Sequence, residues 1–207
     1  YGTNYGQEMT FIPGSMSSNT NSSSGSNHNV ILDSNGIVYT TGYNSLGQLG
    51  DGTTINKKVP VRVLKGAYSG TKYLGDNPSN PIIAVASGNS HTLALAADGT
   101  IYSFGNNVYG QLGDGTSLDR LLPVRVSKGA QYSGTSFLGD NPSNKIIAIS
   151  CRSHSSMALS ASGLVYAFGF NIDGQLGDST FTTRLLKIKK KRGVYSGTSY
   201  LGDDPNN

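Results

Sequence analysis

Cysteine, glutamate and net charge are all scarce in this chain of 207 residues. Its single cysteine, Cys151, rules out an internal disulfide framework and leaves the redox compartment open. The neighbours Ile147 and Ile149 make a buried structural thiol the expectation for it, not a reactive one. Glu8 is the one glutamate, so no glutamate pair exists for acid–base chemistry. No apolar run approaches the length that crosses a bilayer, and no basic start followed by an apolar segment marks a signal peptide. A helical apolar period is missing too, which leaves strands as the main element. Tyr1 stands where Met would begin a chain, and a processed or truncated product is one reading of that.

What the chain has instead is glycine, 28 residues of it, and a repeat. The heptapeptide Gly47-Gln48-Leu49-Gly50-Asp51-Gly52-Thr53 returns at Gly110–Thr116 and again, with Ser179 for the last glycine, at Gly174–Thr180, after 63 and then 64 residues. In step with it recur His28, His91 and His154; Gly36, Gly99 and Gly163; Asn44, Asn107 and Asn171; and Tyr-Ser-Gly-Thr starting at Tyr68, Tyr132 and Tyr195. A fixed long period means stacked copies of one supersecondary unit, each too small to bury its own apolar face.

The second copy is the clearest template. Ile82–Ala86 is a continuous apolar run that suits an inner strand buried on both faces. Thr92–Ala96 follows, then Asp98-Gly99 as a two-residue hairpin turn, then Thr100–Phe104. A last strand holds Pro123-Val124-Arg125-Val126, with Arg125 outward and the proline at an edge where no ladder bond is lost. Each copy is therefore expected to be a four-stranded antiparallel sheet. The units read as 28–80, 81–144 and 145–207, each a blade plus an insert. They follow an irregular start over 1–27 that holds a remnant of an earlier copy and a Ser/Asn-rich stretch. Ser17 to Asn29 is expected to be a mobile loop, because it has too little apolar area to order itself.

The offsets Gly88-x-x-His91-x-Leu93-x-Leu95, Gly105-x-Asn107-x-x-Gly110-Gln111-Leu112-Gly113 and Pro123-Val124 resemble the repeat of the regulator of chromosome condensation family. The resemblance covers about residues 27–64, 82–127 and 146–189. It implies an all-β fold: a β-propeller, or a propeller segment, of four-stranded blades, three of them visible here in a family whose propellers have seven. The Tyr-Ser-Gly-Thr…Leu-Gly-Asp insert is outside that pattern. It resembles extended repeats of secreted or surface microbial proteins and points to an extracellular or cell-surface location.

Candidate sites follow from the repeats. Tyr68, Tyr73, Tyr132, Phe137, Tyr195 and Tyr200 lie among Ser, Gly, Thr and Asn, the mixture used by recognition loops; packing of each ring on its own blade is the alternative. Six of the sixteen basic residues, Arg184, Lys187, Lys189, Lys190, Lys191 and Arg192, form one local patch. That patch fits either an anionic partner or a solvated edge that discourages sheet aggregation. His28, His91 and His154 could ring a metal, but bracing turns explains them, and with Gln48, Gln111 and Gln175 they are taken as structural. Asp51, Asp114 and Asp178, with Asp76, Asp140 and Asp203, are read as turn formers rather than calcium ligands.

No metal, no cofactor and no enzymatic activity is expected. The function read from this is a non-catalytic surface or structural scaffold that binds protein or glycan, or further copies of itself, with nucleic acid not expected. The alternatives are a guanine-nucleotide exchange or chromatin-binding propeller, and a glycan-processing enzyme that the shortage of glutamates disfavours.

Overall fold

The computed structural model describes residues 22–128 and 137–189. Tyr132, Tyr195, Tyr200, Lys190, Lys191, Arg192 and Asp203 lie outside the described residues. Within them the chain forms three four-stranded antiparallel meanders. Blade 1 holds β1 (Ser22–Ser24), β2 (His28–Leu32), β3 (Val38–Gly42) and β4 (Lys57–Arg62). Blade 2 holds β5 (Ile82–Ser87), β6 (His91–Ala96), β7 (Ile101–Gly105) and β8 (Arg120–Arg125). Blade 3 holds β9 (Ile146–Arg152), β10 (Ser155–Ser160), β11 (Val165–Gly169) and β12 (Arg184–Lys189). Strand order within each sheet is sequential, as short connections between neighbours require.

The core lies between blades rather than within one. One cluster joins Val30, Leu32 and Val38 of blade 1 to Val85, Ala94, Tyr102 and Phe104 of blade 2. A second joins Leu93, Leu95 and Ile101 of blade 2 to Ala158, Tyr166 and Phe168 of blade 3. Alternate residues of a strand face opposite ways, so each blade has a leading face toward the preceding copy and a trailing face toward the next. Flanked on both sides, β6 and β7 are buried throughout. In β2 and β10 burial alternates, because among the described residues only one face of blade 1 and one face of blade 3 packs against another blade.

Four expectations are corrected. Ser22–Ser24 is a strand, not loop: its backbone pairs with β2 from Ser22↔Ile31 to Ser24↔Asn29, and the Ser23 hydroxyl accepts from the Ser87 amide at 2.9 Å. Backbone pairing needs no apolar side chain, and serines suit a position that must bond its neighbour. The inner strand is also not the most buried, since Ile83 and Ala84 are half-exposed and Ile147 is 53% exposed.

The hairpin at Asp98-Gly99 spans three residues, with Ala96 N bonded to Thr100 O and Gly99 N to Ala96 O; only Gly99 has positive φ, +94°. A type I turn closed by a left-handed glycine fits this, and the same pattern recurs at Gly36 and Gly163. Lastly, Pro123 is buried, not an open edge, and Arg125 is half-buried. The insert of the preceding copy covers them: Ala67 N donates to Pro123 O at 2.8 Å, and an added Cβ on Gly66 would lie 2.2 Å from that oxygen.

Gly75 is the sharpest steric constraint. At φ +97°, an added Cβ would meet the Gly36 carbonyl oxygen at 1.7 Å, whereas at Gly174 (φ +74°) the nearest atom would be Phe181 Cε1 at 3.6 Å. Gly75→Ala should therefore destabilise the fold by about 3 kcal/mol or more, and Gly174→Ala by only about 1 kcal/mol, the cost of the left-handed backbone alone. Denaturant unfolding of the two variants measures the difference.

Candidate functional site

The signature heptapeptide closes around one buried asparagine. In blade 2 the Asn107 carbonyl oxygen accepts from Leu112 N at 2.9 Å, while its amide donates to Asp114 Oδ1 and Thr116 O, each at 3.0 Å. Asn44 makes the same bonds to Leu49, Asp51 and Thr53, and Asn171 to Leu176, Asp178 and Thr180. All three asparagines are fully buried. Each aspartate also accepts from the threonine two residues on and pairs with a base from the outer strand: Lys57 with Asp51 at 3.1 Å, Arg120 with Asp114 at 2.7 Å, Arg184 with Asp178 at 2.6 Å. Burial works to raise the Asp114 carboxyl, but hydrogen bonds from Thr116, Arg120 and Asn107 outweigh it and hold the group below its usual value. These carboxylates are spent inside their own loops. Among the described residues no group of three His, Cys, Asp or Glu could hold a metal ion.

The histidines act between blades. His28 Nε2 lies 3.0 Å from Thr92 Oγ1, and His91 Nε2 lies 2.9 Å from Ser156 Oγ. Each hydroxyl spends its one hydrogen on a backbone carbonyl of the preceding copy, Thr92 on Gln48 O at 3.2 Å and Ser156 on Gln111 O at 2.8 Å. The imidazole must then be the donor, which fixes the Nε2–H tautomer. Burial lowers His28 to about 4 and His91 to about 3.

His154 does not belong to this series. Pairing opposite the strand-end glycine shows His28↔Gly42, His91↔Gly105 and Ser155↔Gly169, so Ser155 is the true counterpart and His154 sits one residue early. The cause is one extra residue in the second insert, where Gln131 separates Ala130 from Tyr132. His91 rests on Gly88, where an added Cβ would be 2.2 Å from the ring. With serine at 155 that restriction lapses, and Arg152 occupies the glycine's place. His154 instead packs near Tyr109, at 5.2 Å between ring centroids.

The glutamines pin the loop from within: Gln48, Gln111 and Gln175 each accept, through Oε1, an amide two residues back, from Leu46, Tyr109 and Asp173. Gln48 and Gln111 are buried, and Gln175 is exposed.

In the first insert the leading tyrosine packs inward. Tyr68 is 2% exposed, donates its hydroxyl to Asn80 O and meets Tyr102 edge-on at 5.3 Å; burial pushes it up to about 12. It is thereby removed from the recognition residues. Asn80 in turn clasps Asp98 of the next hairpin through two bonds of 2.8 and 2.9 Å, a link between copies that sequence reasoning missed. The signal was there, since Asn144 stands at the same place in the next insert and accepts from Ser162 N at 3.0 Å. Tyr73 and Phe137 stay half-exposed under guanidinium groups, Arg62 5.1 Å from the Tyr73 centroid and Arg125 5.1 Å from that of Phe137. Asp76 accepts from Thr71, Lys72 and Tyr73, which shapes its loop.

The basic patch is also divided. Arg184 is consumed by Asp178, while Lys187 and Lys189 lie on β12. Cys151 is half-buried as a residue, but its thiol is desolvated and pushed up to about 12, and its sulfur lies 3.9 Å from Ser156 Oγ.

Three sequential four-stranded blades, packed face to face and stapled by loops of the preceding copy, define a β-propeller of repeated blades. The Regulator of chromosome condensation (RCC1) repeat pattern matches residues 35–95 and 98–159, and a second form of it matches 82–111. The chain belongs to the RCC1 repeat family. It is similar to Protein RCC2 homolog of Danio rerio, 34% identical over 166 residues, covering 78% of this chain and 29% of that protein. It is also similar to Ultraviolet-B receptor UVR8 of Arabidopsis thaliana, 33% identical, covering 80% of this chain and 32% of the receptor. Among solved structures, Prp20p of Saccharomyces cerevisiae shares the fold with a TM-score of 0.61 and 24% identity, covering 82% of this chain and 37% of Prp20p. The chain thus spans about a third of these relatives. The Prp20p structure is described together with that protein's binding properties to Gsp1p and histones. The expected extracellular or cell-surface location is corrected, because the RCC2 proteins of Danio rerio and Homo sapiens to which the chain is similar are intracellular. That expectation rested on the likeness of the inserts to extended repeats of secreted or surface microbial proteins.

Two outcomes are expected. Asn107→Ala leaves Asp114, Leu112 N and Thr116 O short of partners in a buried loop and should cost about 2–4 kcal/mol by denaturant unfolding. Acidification should also destabilise the fold. His28 and His91 are held neutral when folded but take a proton near 6.5 when unfolded, so stability is full above pH 6.5 and falls as pH drops toward 4. At pH 5 the loss is about 2 kcal/mol per histidine, and His91→Gln should flatten the slope of stability against pH.

Proposed function

We propose that this chain is part of a non-catalytic, intracellular RCC1-type propeller that docks protein partners, in the manner of a chromatin-binding or nucleotide-exchange regulator. The observation that carries this reading is the internal use of the signature polar groups. The asparagine, aspartate, threonine and basic residue of each loop bond one another, and the histidine hydroxyl links join blades. The repeat is a scaffold, and function falls to the surfaces it holds rigid. Kinship with RCC2 and the histone- and Gsp1p-binding Prp20p favours this class over a glycan-binding surface protein. Such a propeller works through differential affinity for two states of its partner and needs no covalent step. Among the described insert residues, Tyr73 and Phe137, each beneath an arginine, are left to serve a contact.

The test pairs two assays: retention of histones by the immobilised chain at physiological salt, and release of labelled nucleotide from a panel of small GTPases. Binding in the first or acceleration in the second is expected. Neither response, from a chain with an intact β-sheet spectrum, would overturn the reading.

A further inference from the structure

We propose that the first insert carries a docking site for an acidic segment of a partner protein, built from Arg62, Lys65, Lys72 and Tyr73. The site rests on the reading of the chain as a protein-docking propeller, and it gives that reading one surface and one kind of partner.

A short ladder sets the geometry. Leu64 bridges Tyr73 in antiparallel fashion, with Leu74 N bonded to Val63 O and Lys65 N to Lys72 O, each at 3.0 Å. Val63 and Leu74 are fully buried and anchor the ladder to the core. Lys65 therefore stands directly opposite Lys72. Two cations attend the Tyr73 ring, with the Arg62 guanidinium carbon 5.1 Å and Lys72 Nζ 5.2 Å from its centroid. Arg62 Nε donates to the Tyr39 hydroxyl at 3.2 Å, and Lys65 Nζ donates to Gly70 O at 3.2 Å. Arg62, Lys65 and Lys72 are all exposed.

Gathering three like charges on one hairpin works against folding, and like charges directly opposite on a ladder destabilise it. Among the described residues none of the three forms a salt bridge. Two carboxylates lie near. Asp76 accepts from the amides of Thr71, Lys72 and Tyr73 and from the Thr71 hydroxyl, and Asp33, which acts on Arg62 through space, accepts from the amides of Asn35 and Ile37. Both are spent on backbone. The ladder itself does not need the cations, since the equivalent bridge Ser127↔Phe137 forms with Ser136 before the ring, where Lys72 stands before Tyr73. In that copy, flanked by blades on both sides, Arg125 still lies 5.1 Å from the Phe137 centroid. The pairing of arginine and ring is thus independent of where the described residues begin.

An arginine fixed through Nε keeps its terminal amino groups for a carboxylate, and lysines add point charges beside it. Tyrosine and arginine together are the residue types that carry most interface energy. The charge is also too local for a nucleic acid, whose backbone needs cations along a track: Ser136 and Ser199 replace Lys72 in the later inserts. Nor is the Tyr73 ring an open platform for a base, because two side-chain cations already engage it. A short acidic stretch of protein fits both facts.

The test is fluorescence anisotropy of the intact chain at physiological salt with a short labelled peptide of Glu, Asp and Leu. A matching peptide of Gln, Asn and Leu and a single-stranded oligothymidine are the comparisons. The acidic peptide should bind at least about tenfold more tightly than either. Lys72→Glu should weaken it about tenfold, and Lys72→Ser, the residue of the next insert, about threefold. Lys58→Glu alters an exposed lysine of β4 outside the cluster and should change binding less than about twofold, with circular dichroism verifying each fold. No binding of the acidic peptide, equal or tighter binding of oligothymidine, or equal losses from Lys72→Glu and Lys58→Glu would each overturn the proposal. If that happens while histones or a GTPase still respond to the chain, this surface falls and the protein-docking reading stands.

Discussion

A buried asparagine amide is the constraint on which the rest of this structure depends. Asn44, Asn107 and Asn171 each hold a glycine-rich loop closed by accepting one backbone amide and donating to a carboxylate and a carbonyl. A loop so rich in glycine has many conformations to lose on folding, and only a fully satisfied buried network offsets that entropy. With the loop fixed, its glycine amides meet the carbonyls of the next blade's outer strand. Local closure therefore sets the spacing between blades.

Outer strands are the usual weakness of stacked sheets, because they present unpaired backbone groups. Here each copy protects the next: Gly52 and Ala67 of blade 1 bond Leu121 and Pro123 of β8, and Gly115 of blade 2 bonds Leu185 of β12. The insert thus completes an interblade junction, and Tyr68 anchors it there instead of reaching outward. Its mixture of Tyr, Ser, Gly and Asn resembles that of a recognition loop, since the same residues that adapt to a partner also adapt to a neighbouring blade.

The third copy departs from the pattern in a correlated way. Serine replaces histidine at 155, and arginine takes the glycine's place at 152. A ring that must lie on a glycine and the glycine that admits it are lost together, because neither has a use without the other. The hydroxyl of the leading face survives as Ser156, since its partner in blade 2 is still present.

By itself, the sequence determined the repeat, the four-stranded unit, the antiparallel order and the family, because period, strand alternation and turn glycines are local properties carried along the chain. The turn role of Asp51, Asp114 and Asp178 was legible on the same ground, their partners lying within a few residues. Tertiary structure alone decided what faces what. It showed that Ser22–Ser24 is a strand, that His154 is out of phase, that Pro123 is covered and that Tyr68 is buried. Ser23 bonds Ser87, Ala67 bonds Pro123, and Tyr68 packs on Asn80 and Tyr102, contacts that only the folded chain brings together. The extra Gln131 that shifts His154 stands in the sequence but acquires its meaning only from strand pairing.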